Sequence, residues 1–509
     1  NSFLVSTNAR MHKIDLNLSE PDVLWALKKI KPNFTSGHDR IPAFLLFDCA
    51  SILAFPLMII FNLIFRTGVF PDVWKLSIIS PIFKSGNRTM IENYRPISLI
   101  CNFAKIFETI LHKFISFNTR SLITVSQHGF VNGRSTTSNL CEFTQFVADN
   151  LDAKRQVDVA YTDFSKAFDK LDHGLLLVKL RNFGFSSALF DLISSYLSNR
   201  VQVVNYNGYE SSKTVVSSGV PQGSILGPLF FVIYINDVVR DIKSNVLMYA
   251  DDLKIFREVN SFEDCLSLQN DLHTFHNWSN SNLLPVNYAK CYIMSFTNKT
   301  SLISYGYTLN NGILTRVDTF RDLGVTFDSR LTFADHISNI CSGALKSLGF
   351  IMRCGKIFNH ISCLRTLYFA YVRSKLEYAS VVWSPFSRIH IESLEKIQRR
   401  FLKYLVFRVD GIYPERGISH TLLLERFQFQ SLDSRRVNAS MSFLRKLIHF
   451  QFDCPNLLDR LYFLVPRLAS RSCPCFYLST PRLNITKHSP IYEMCTQYNT
   501  HQNDFDISR

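Results

Sequence analysis

Apolar and polar residues recur along this chain with two periods, and the switches between them mark its elements. Leu24, Leu27 and Ile30 repeat at helical spacing behind Ser19-Glu20-Pro21-Asp22, a combination that suits a helix start. Residues 36–42 read as a loop. The most apolar stretch, 52–65, is shorter than the ~20 residues a spanning helix needs. It also contains Pro56 and Asn62, so it predicts a buried helix and no membrane span. Residues 77–83 read as a strand closed by the turn Lys84-Ser85-Gly86-Asn87. Ile106, Phe107, Ile110, Leu111, Phe114 and Ile115 then carry a helical pattern over 104–123.

Residues 157–162 alternate like a strand and deliver Asp163 at its end. Helices are expected over 175–183 and 188–197. A hairpin is expected from 201–204 and 214–216, around Asn207-Gly208. A Gly/Pro-punctuated loop at 219–228 leads into a helix over 229–239. Two apolar runs, Val246-Leu247-Met248 and Leu253-Lys254-Ile255-Phe256, flank Tyr249-Ala250-Asp251-Asp252 and read as strand, tight turn, strand. A helix through Cys265, Leu268 and Leu272 follows, then mixed sheet to about 327 and a mainly helical pattern over 331–404. The last hundred or so residues are basic and mixed, without a motif or repeat.

Composition narrows the picture. The 509 residues are 47% hydrophobic, enough for a sizeable core. Lys and Arg number 56 against 41 Asp and Glu, a formal charge of +15 that suits a polyanionic partner such as nucleic acid. A solvated basic surface is the plainer alternative, although basic and aromatic residues interleave over 396–404. Twelve cysteines are scattered without regular pairing, as in a reducing compartment. Cys473-Pro474-Cys475, with Cys454, His488 and Cys495, lacks a C-x2-C pair and is a poor zinc site. The chain begins at Asn1 rather than Met, as a fragment would, so a missing signal peptide says little.

The candidate chemistry is acidic. Asp251 and Asp252 sit at a hairpin tip, and Asp163 at a strand's carboxyl end. If those strands are neighbours, three carboxylates converge. Without a cation they would repel and raise one another's pKa; with one they suit a hard divalent metal. Taken alone, Asp163 could simply cap the helix opened by 163–169. Residues 218–229 form a second block, where glycines allow close backbone approach and Gln222 offers both donor and acceptor.

These blocks occur in an order that resembles the reverse transcriptases of non-LTR, LINE-type retrotransposons, most closely the jockey-like and R1-like insect groups. The resemblance rests on Asn93-Tyr94-Arg95-Pro96-Ile97-Ser98-Leu99, then Gln127-His128-Gly129-Phe130 with Gly133-Arg134-Ser135-Thr136. It continues through 163–169, 219–224 running to Tyr234-Ile235-Asn236-Asp237, and 249–252, to Asn287 with Lys290 and Phe320-Arg321-Asp322-Leu323-Gly324-Val325. It covers about 36–383.

The resemblance implies an α+β right-hand polymerase with fingers, an antiparallel-sheet palm and a helical thumb. Residues 1–70 would be a helical extension of the fingers, 71–328 fingers and palm, 329–405 thumb, and 406–509 a basic segment of unassigned role. It implies RNA-directed DNA synthesis with two Mg²⁺ ions, Mn²⁺ serving as a substitute. Asp163, Asp251 and Asp252 would be catalytic and, with the carbonyl of Phe164, would hold the metal. Lys84 and Arg95 match positions that grip the triphosphate, and Gln222 one beside the template base and incoming nucleotide. Phe168 matches the position that clashes with a ribose 2′-hydroxyl, and is also a natural core aromatic. Lys290 matches a basic position suggested to protonate the departing pyrophosphate, with plain phosphate contact or a solvated surface as alternatives. Residues 320–325 match the hairpin that grips the primer.

The implied partners are an RNA template, a DNA primer and deoxynucleoside triphosphates, with no membrane, inside the cell in cytoplasm and nucleus. No endonuclease, cysteine–histidine knuckle or RNase H block accompanies the polymerase blocks, so an endonuclease is expected to be separate or missing. A truncated, non-catalytic RNA-binding relic and a maturase-like splicing factor are the competing readings.

Overall fold

The computed structural model describes residues 17–299, 301–358, 360–465 and 474–501. Helix α1 (Glu20–Lys29) starts where Ser19 and Asp22 predict: the Asp22 carboxylate accepts the Ser19 backbone N–H at 3.1 Å. Acidic residues in its first turn and Lys28 and Lys29 in its last complement the helix dipole. After α2 (Ala43–Asp48) comes α3 (Ala50–Thr67), longer than expected and buried on one face only. Ala54, Leu57, Phe61 and Ile64 pack inward, while Ile52, Phe55, Ile59, Ile60 and Leu63 are exposed. The expectation of a buried helix is corrected to that extent. The helix lies at the edge of the molecule, with neighbours α1 and α2 and, further along the chain, the helix Ser187–Leu197. By length and composition alone α3 could cross a membrane, and about two-fifths of it is buried inside the protein.

The fingers sheet pairs β1 (Leu76–Phe83) antiparallel with β2 (Tyr94–Leu99), Ile82 opposite Arg95. Helices α4 (Asn102–Thr119) and α5 (Thr136–Asp152) lead to β3 (Gln156–Thr162). Then come α6 (His173–Asn182), α7 (Ser187–Leu197) and β4 (Arg200–Tyr206), which runs parallel to β1. The expected hairpin forms at Asn207-Gly208 between β4 and β5 (Tyr209–Glu210), with β6 (Thr214–Val216) returning along β4. Helix α8 (Leu226–Ile235) begins three residues earlier than expected. Pro228 falls in its first turn, where a missing N–H costs nothing.

The palm sheet has the order β12-β9-β3-β8-β7. Here β7 is Asn245–Tyr249 and β8 Asp252–Val259, followed by α9 (Phe262–Ser281) and β9 (Tyr292–Phe296). Short strands β10 (Thr308–Leu309), β11 (Gly312–Ile313) and β12 (Thr315–Arg316) come next. Pairing is antiparallel except at the edge, where β12 runs parallel to β9. Although the sequence of β3 alternates, every one of its residues is buried, because it is the central strand. Its one charged member, Asp158, is wholly buried and satisfied: Gln156, Ser295 and Tyr307 donate to it at 2.8, 2.6 and 2.8 Å.

A separate hairpin of β13 (Thr319–Asp322) and β14 (Val325–Asp328) precedes the thumb. The helical block expected as the thumb over 329–405 contains α10 (Ala334–Cys354), α11 (Ile361–Tyr368), α12 (Ser374–Glu377) and α13 (Ser380–Trp383), and α14 (Arg388–Asp410) runs past its end. On α14 the interleaved aromatics Phe401 and Tyr404 are core, Phe401 stacking on Tyr368 at 4.1 Å, while Lys396 and Arg400 remain exposed.

Beyond it lie α15 (His420–Phe427), α16 (Leu432–Ile448), α17 (Pro455–Leu458), α18 (Asn484–Lys487) and α19 (Pro490–His501). They share one hydrophobic core with palm and thumb: Leu444 and Met494 cluster with Val147 and Leu402. Buried Arg134 fastens this segment. It donates to the carbonyls of Thr124 and Gln127 on one side and to the carbonyl and carboxylate of Asp453 on the other. Cys454 and Cys495 are buried thiols; Cys473 lies outside the described residues.

Hairpin and thumb meet at His336, buried against Trp383, with Nδ1 accepting the Thr326 N–H at 3.2 Å. Burial, then the charge of Arg321, pushes the imidazole down to about 4. Between about 6.5 and 4 the unfolded chain takes up a proton that the native histidine refuses, so stability falls as pH falls through that window. The loss is at most about 3 kcal/mol. Denaturation midpoints from pH 7 to 4 should show this acid limb, and His336→Phe should flatten it.

Candidate active site

The register of the palm sheet builds the site. Thr162 of β3 stands opposite Leu253 of β8, so the next pair in line is Asp163 and Asp252. Adjacent strands lie ~4.8 Å apart, which puts two carboxylates remote in sequence side by side. Asp251 belongs to the turn joining β7 to β8, where Tyr249 pairs with Asp252. Ala250 takes φ 56° in that turn, a left-handed conformation that costs an alanine about 1 kcal/mol.

A support beneath the turn offsets that strain. Gln127 Oε1 accepts the N–H groups of both Gly129 and Ala250, at 2.7 and 3.0 Å. Met248 N donates to the Ser126 carbonyl, and the His128 N–H and the Asn139 amide donate to the Met248 carbonyl. Gly129 lies so close that a Cβ on it would sit 2.3 Å from the Ala250 nitrogen. Sequence reasoning gave Gln127-His128-Gly129 no role. Its signal was a glycine and a buried-type amide inside an ordered block, which only the neighbouring strand explains.

The electrostatics follow from this crowding. Asp163 Oδ2 accepts from Lys290 Nζ at 2.8 Å, and the Asp163 carbonyl accepts the Asn287 N–H at 2.7 Å. Burial, then the charge of Asp163, raises the Asp251 carboxyl, while Lys290 and Lys84 oppose the rise. Asp252 borders open solvent, yet partial desolvation and then Asp251, Asp322 and Asp163 push it up to about 6. Lys290 is raised, first by its hydrogen bond to Asp163. Asp163, Asp252, Lys254, Lys290, Phe320 and Asp322 border a cavity of about 260 Å³.

Among the described residues, no group of three or more His, Cys, Asp or Glu is closed around a point where a metal ion would sit. Lys290 occupies one oxygen of Asp163 instead. The donor set nonetheless fits a divalent cation: hard carboxylate oxygens, two of them held above their ordinary pKa, whose mutual repulsion a cation would relieve. Phe164 follows directly, pairing with Val286 in a lone antiparallel bridge, its ring against Phe275 and Trp278.

The remaining expected residues surround this centre. Lys84 follows β1, is exposed, and is close enough to Asp251 to lower its pKa. Arg95 lies exposed on β2 opposite Ile82, on the same face of the fingers hairpin as Lys84 by the two-residue period. Phe168 is half-buried, stacked on Phe231 at 4.6 Å with Phe130 edge-on at 6.1 Å. Its carbonyl accepts the Val220 N–H, joining the Asp163 block to the glycine-rich loop. Gln222 donates its amide to Asp169 at 2.8 Å, and its carbonyl accepts the Ser98 N–H of β2 at 2.7 Å. Gly223, at φ 134°, permits that contact, since a Cβ would meet the Ser98 oxygen at 2.5 Å. The amide of Gln222 is thus engaged with Asp169 rather than free to face the cleft. The 320–325 block forms the tip of the β13–β14 hairpin, its Phe320 ring stacked on Tyr161 at 3.9 Å.

A carboxylate-bearing palm sheet set against a two-stranded fingers grip is the arrangement of a template-dependent polymerase. Residues 82–327 match the family described as reverse transcriptase (RNA-dependent DNA polymerase), and they form a reverse transcriptase domain. Among the similar proteins are polymerases from mobile elements. The RNA-directed DNA polymerase from mobile element jockey of Drosophila melanogaster is 29% identical over 68% of this chain and 39% of its own length. The probable RNA-directed DNA polymerase from transposon BS, also of Drosophila melanogaster, is 28% identical over 78% and 45%. The Pol polyprotein from type-1 retrotransposable element R1 of Bradysia coprophila is 26% identical over 58% and 28%. The chain therefore spans less than half the length of the curated relatives it matches. An apo telomerase structure from Candida tropicalis, truncated from the C-terminal domain, is similar at a TM-score of 0.37, with 14% identity over 56% of this chain and 59% of that one.

Gly129→Ala tests the support under the turn. The added methyl must displace the 249–252 backbone, with an expected loss of about 1–3 kcal/mol in stability. Nucleotide incorporation should fall on the order of 100-fold, because the carboxylates shift with the turn. Thermal melts and primer-extension rates measure the two effects.

Proposed function

We propose that this chain copies RNA into DNA, extending a primer 3′ end with deoxynucleotides, as the polymerase of a non-LTR retrotransposon. The observation that carries the reading is the β3–β8 register that sets Asp163 beside Asp252 and Asp251. Reverse transcriptases as a family take an RNA template and nucleotide substrates and use divalent metals. On this reading two Mg²⁺ ions, or Mn²⁺ in their place, are held by Asp163, Asp251, Asp252 and the carbonyl of Phe164. When bound, such ions lower the pKa of the primer 3′-hydroxyl and stabilise charge on the leaving oxygens.

The chain's own residues do the rest. Lys84 supplies a point charge and Arg95 a bidentate fork for the triphosphate, both on one face of the fingers hairpin. Phe168, fixed by its stack on Phe231, bars a 2′-hydroxyl. Gln222, tied to Asp169, shapes the loop beneath the template base and incoming nucleotide. Lys290, held against Asp163 until then, exchanges it for the departing pyrophosphate, as proton donor or phosphate contact. The basic face of α14, with Lys396 and Arg400 exposed, adds phosphate contacts whose strength falls with salt. On this reading the chain works inside the cell, in cytoplasm and nucleus.

A non-catalytic RNA-binding relic would have no need of the acidic cluster, and all of its members are present with Lys84 and Arg95. Extension of a DNA primer on an RNA template with Mg²⁺ tests the reading. Product is expected from the wild type, and Asp251→Asn should abolish synthesis while leaving template binding intact. Salt-sensitive binding by folded wild type without any incorporation would instead select the relic. Phe168→Val should raise ribonucleotide incorporation by about tenfold or more, measured as the ratio of kcat/KM for matched ribo- and deoxynucleotides.

A further inference from the structure

The β13–β14 hairpin is not a member of the palm sheet; its two strands pair only with each other. Something else must fix its tip. At its entrance the Val317 N–H donates to the Ile293 carbonyl of β9. Along its length Phe320 lies flat on Tyr161, a contact that tolerates sliding. At the tip, the turn residues Leu323 and Gly324 both have positive φ, and the Tyr378 hydroxyl donates to the Leu323 carbonyl at 2.9 Å. Among the described residues, the one charged tie to the palm is Asp322, whose Oδ2 accepts from Lys254 Nζ at 2.5 Å. Both residues are buried, 6% and 3% exposed, and the ammonium also lies over the Phe143 ring at 4.5 Å.

Stability alone is a poor reason for such a pair. Desolvating two charges costs about as much as their attraction returns, and a well-packed apolar pair of similar volume is commonly as stable or more so. What an ion pair provides and an apolar contact does not is a defined distance. Lys254 stands two residues after Asp252 on the same strand, hence on the same face of the sheet and roughly 6.7 Å along it. Both side chains border the 260 Å³ cavity that also meets Asp163, Lys290 and Phe320. A single stiff strand thus carries a catalytic carboxylate and the anchor of the hairpin.

We propose that Lys254 and Asp322 are a positioning pair that indexes the hairpin tip to Asp252, and so sets where the primer 3′ terminus lies relative to the carboxylates. The proposal rests on the polymerase reading. It assigns no chemistry to either residue: the pair acts through the hairpin.

The test replaces both charges, Lys254→Met with Asp322→Leu, so that neither is left buried alone. Three quantities are compared with the wild type: the melting temperature, the Kd for an RNA–DNA template–primer by fluorescence anisotropy, and the kcat for single-nucleotide extension. A fourth needs no synthesis. The primer carries 4-thiothymidine at its 3′ end, and photocrosslinking to the peptide spanning 319–328 reports where the terminus sits.

The expected result is a melting temperature and Kd near wild type, kcat lowered about tenfold or more, and a weakened or displaced crosslink. Asp322→Glu, which keeps the charge and lengthens the arm by one methylene, should lower kcat in the same way and covers the case in which the double variant does not fold. Wild-type kcat and crosslinking in either folded variant would overturn the proposal. So would a loss of activity no larger than the loss of folded protein. If the wild type makes no product, the polymerase reading fails, and the crosslink comparison still decides whether the pair positions the terminus.

Discussion

The site depends on one register: β3 against β8, with Thr162 facing Leu253. Slipping that pairing by one residue would turn every side chain of β8 to the other face and part Asp163 from Asp252. The register is over-determined on both sides. On β3, buried Asp158 is held by Gln156, Ser295 and Tyr307, and the strand is covered on both faces. On β8, Lys254 reaches Asp322 from a position that only this pairing allows. The arrangement has an electrostatic cost, visible in the raised pKa of Asp251 and Asp252, which a cation placed between the carboxylates would relieve.

Around that register the protein places polar props rather than apolar filler. Gln127 satisfies the strained turn at Ala250, and Arg134 joins the same segment to Asp453, in the loop between α16 and α17. The C-terminal segment thereby touches the block that supports the turn. It shares a core with α5 and the thumb, so the back of the palm is closed by residues far along the chain.

Much of this could be read in the sequence because the signals were local. The Ser19 cap, the turn at Asn207-Gly208 and the acidic hairpin each declare themselves within a few residues, and the structure places each where the pattern puts it. The start of α8 was missed by three residues because Pro228 reads as a breaker, although the first turn of a helix accepts it. The exposed face of α3 was missed because apolar content does not say which side finds a partner. The Gln127 support and the Lys254–Asp322 pair were out of reach for a different reason. Each joins residues 123 or 68 positions apart, and nothing in either local stretch points to the other. Even for the carboxylates, sequence suggested convergence but not that Lys290 would bond Asp163 directly.

The central claim is that Asp163 and the Asp251–Asp252 pair share one cation site. Replacing Mg²⁺ with Fe²⁺ and generating hydroxyl radicals at the bound ion cuts the backbone close to that ion. The account predicts paired cuts near residue 163 and near residues 250–252, both suppressed by excess Mg²⁺ and lost in Asp251→Asn. Cutting at one of these places without the other, or at neither, would contradict it.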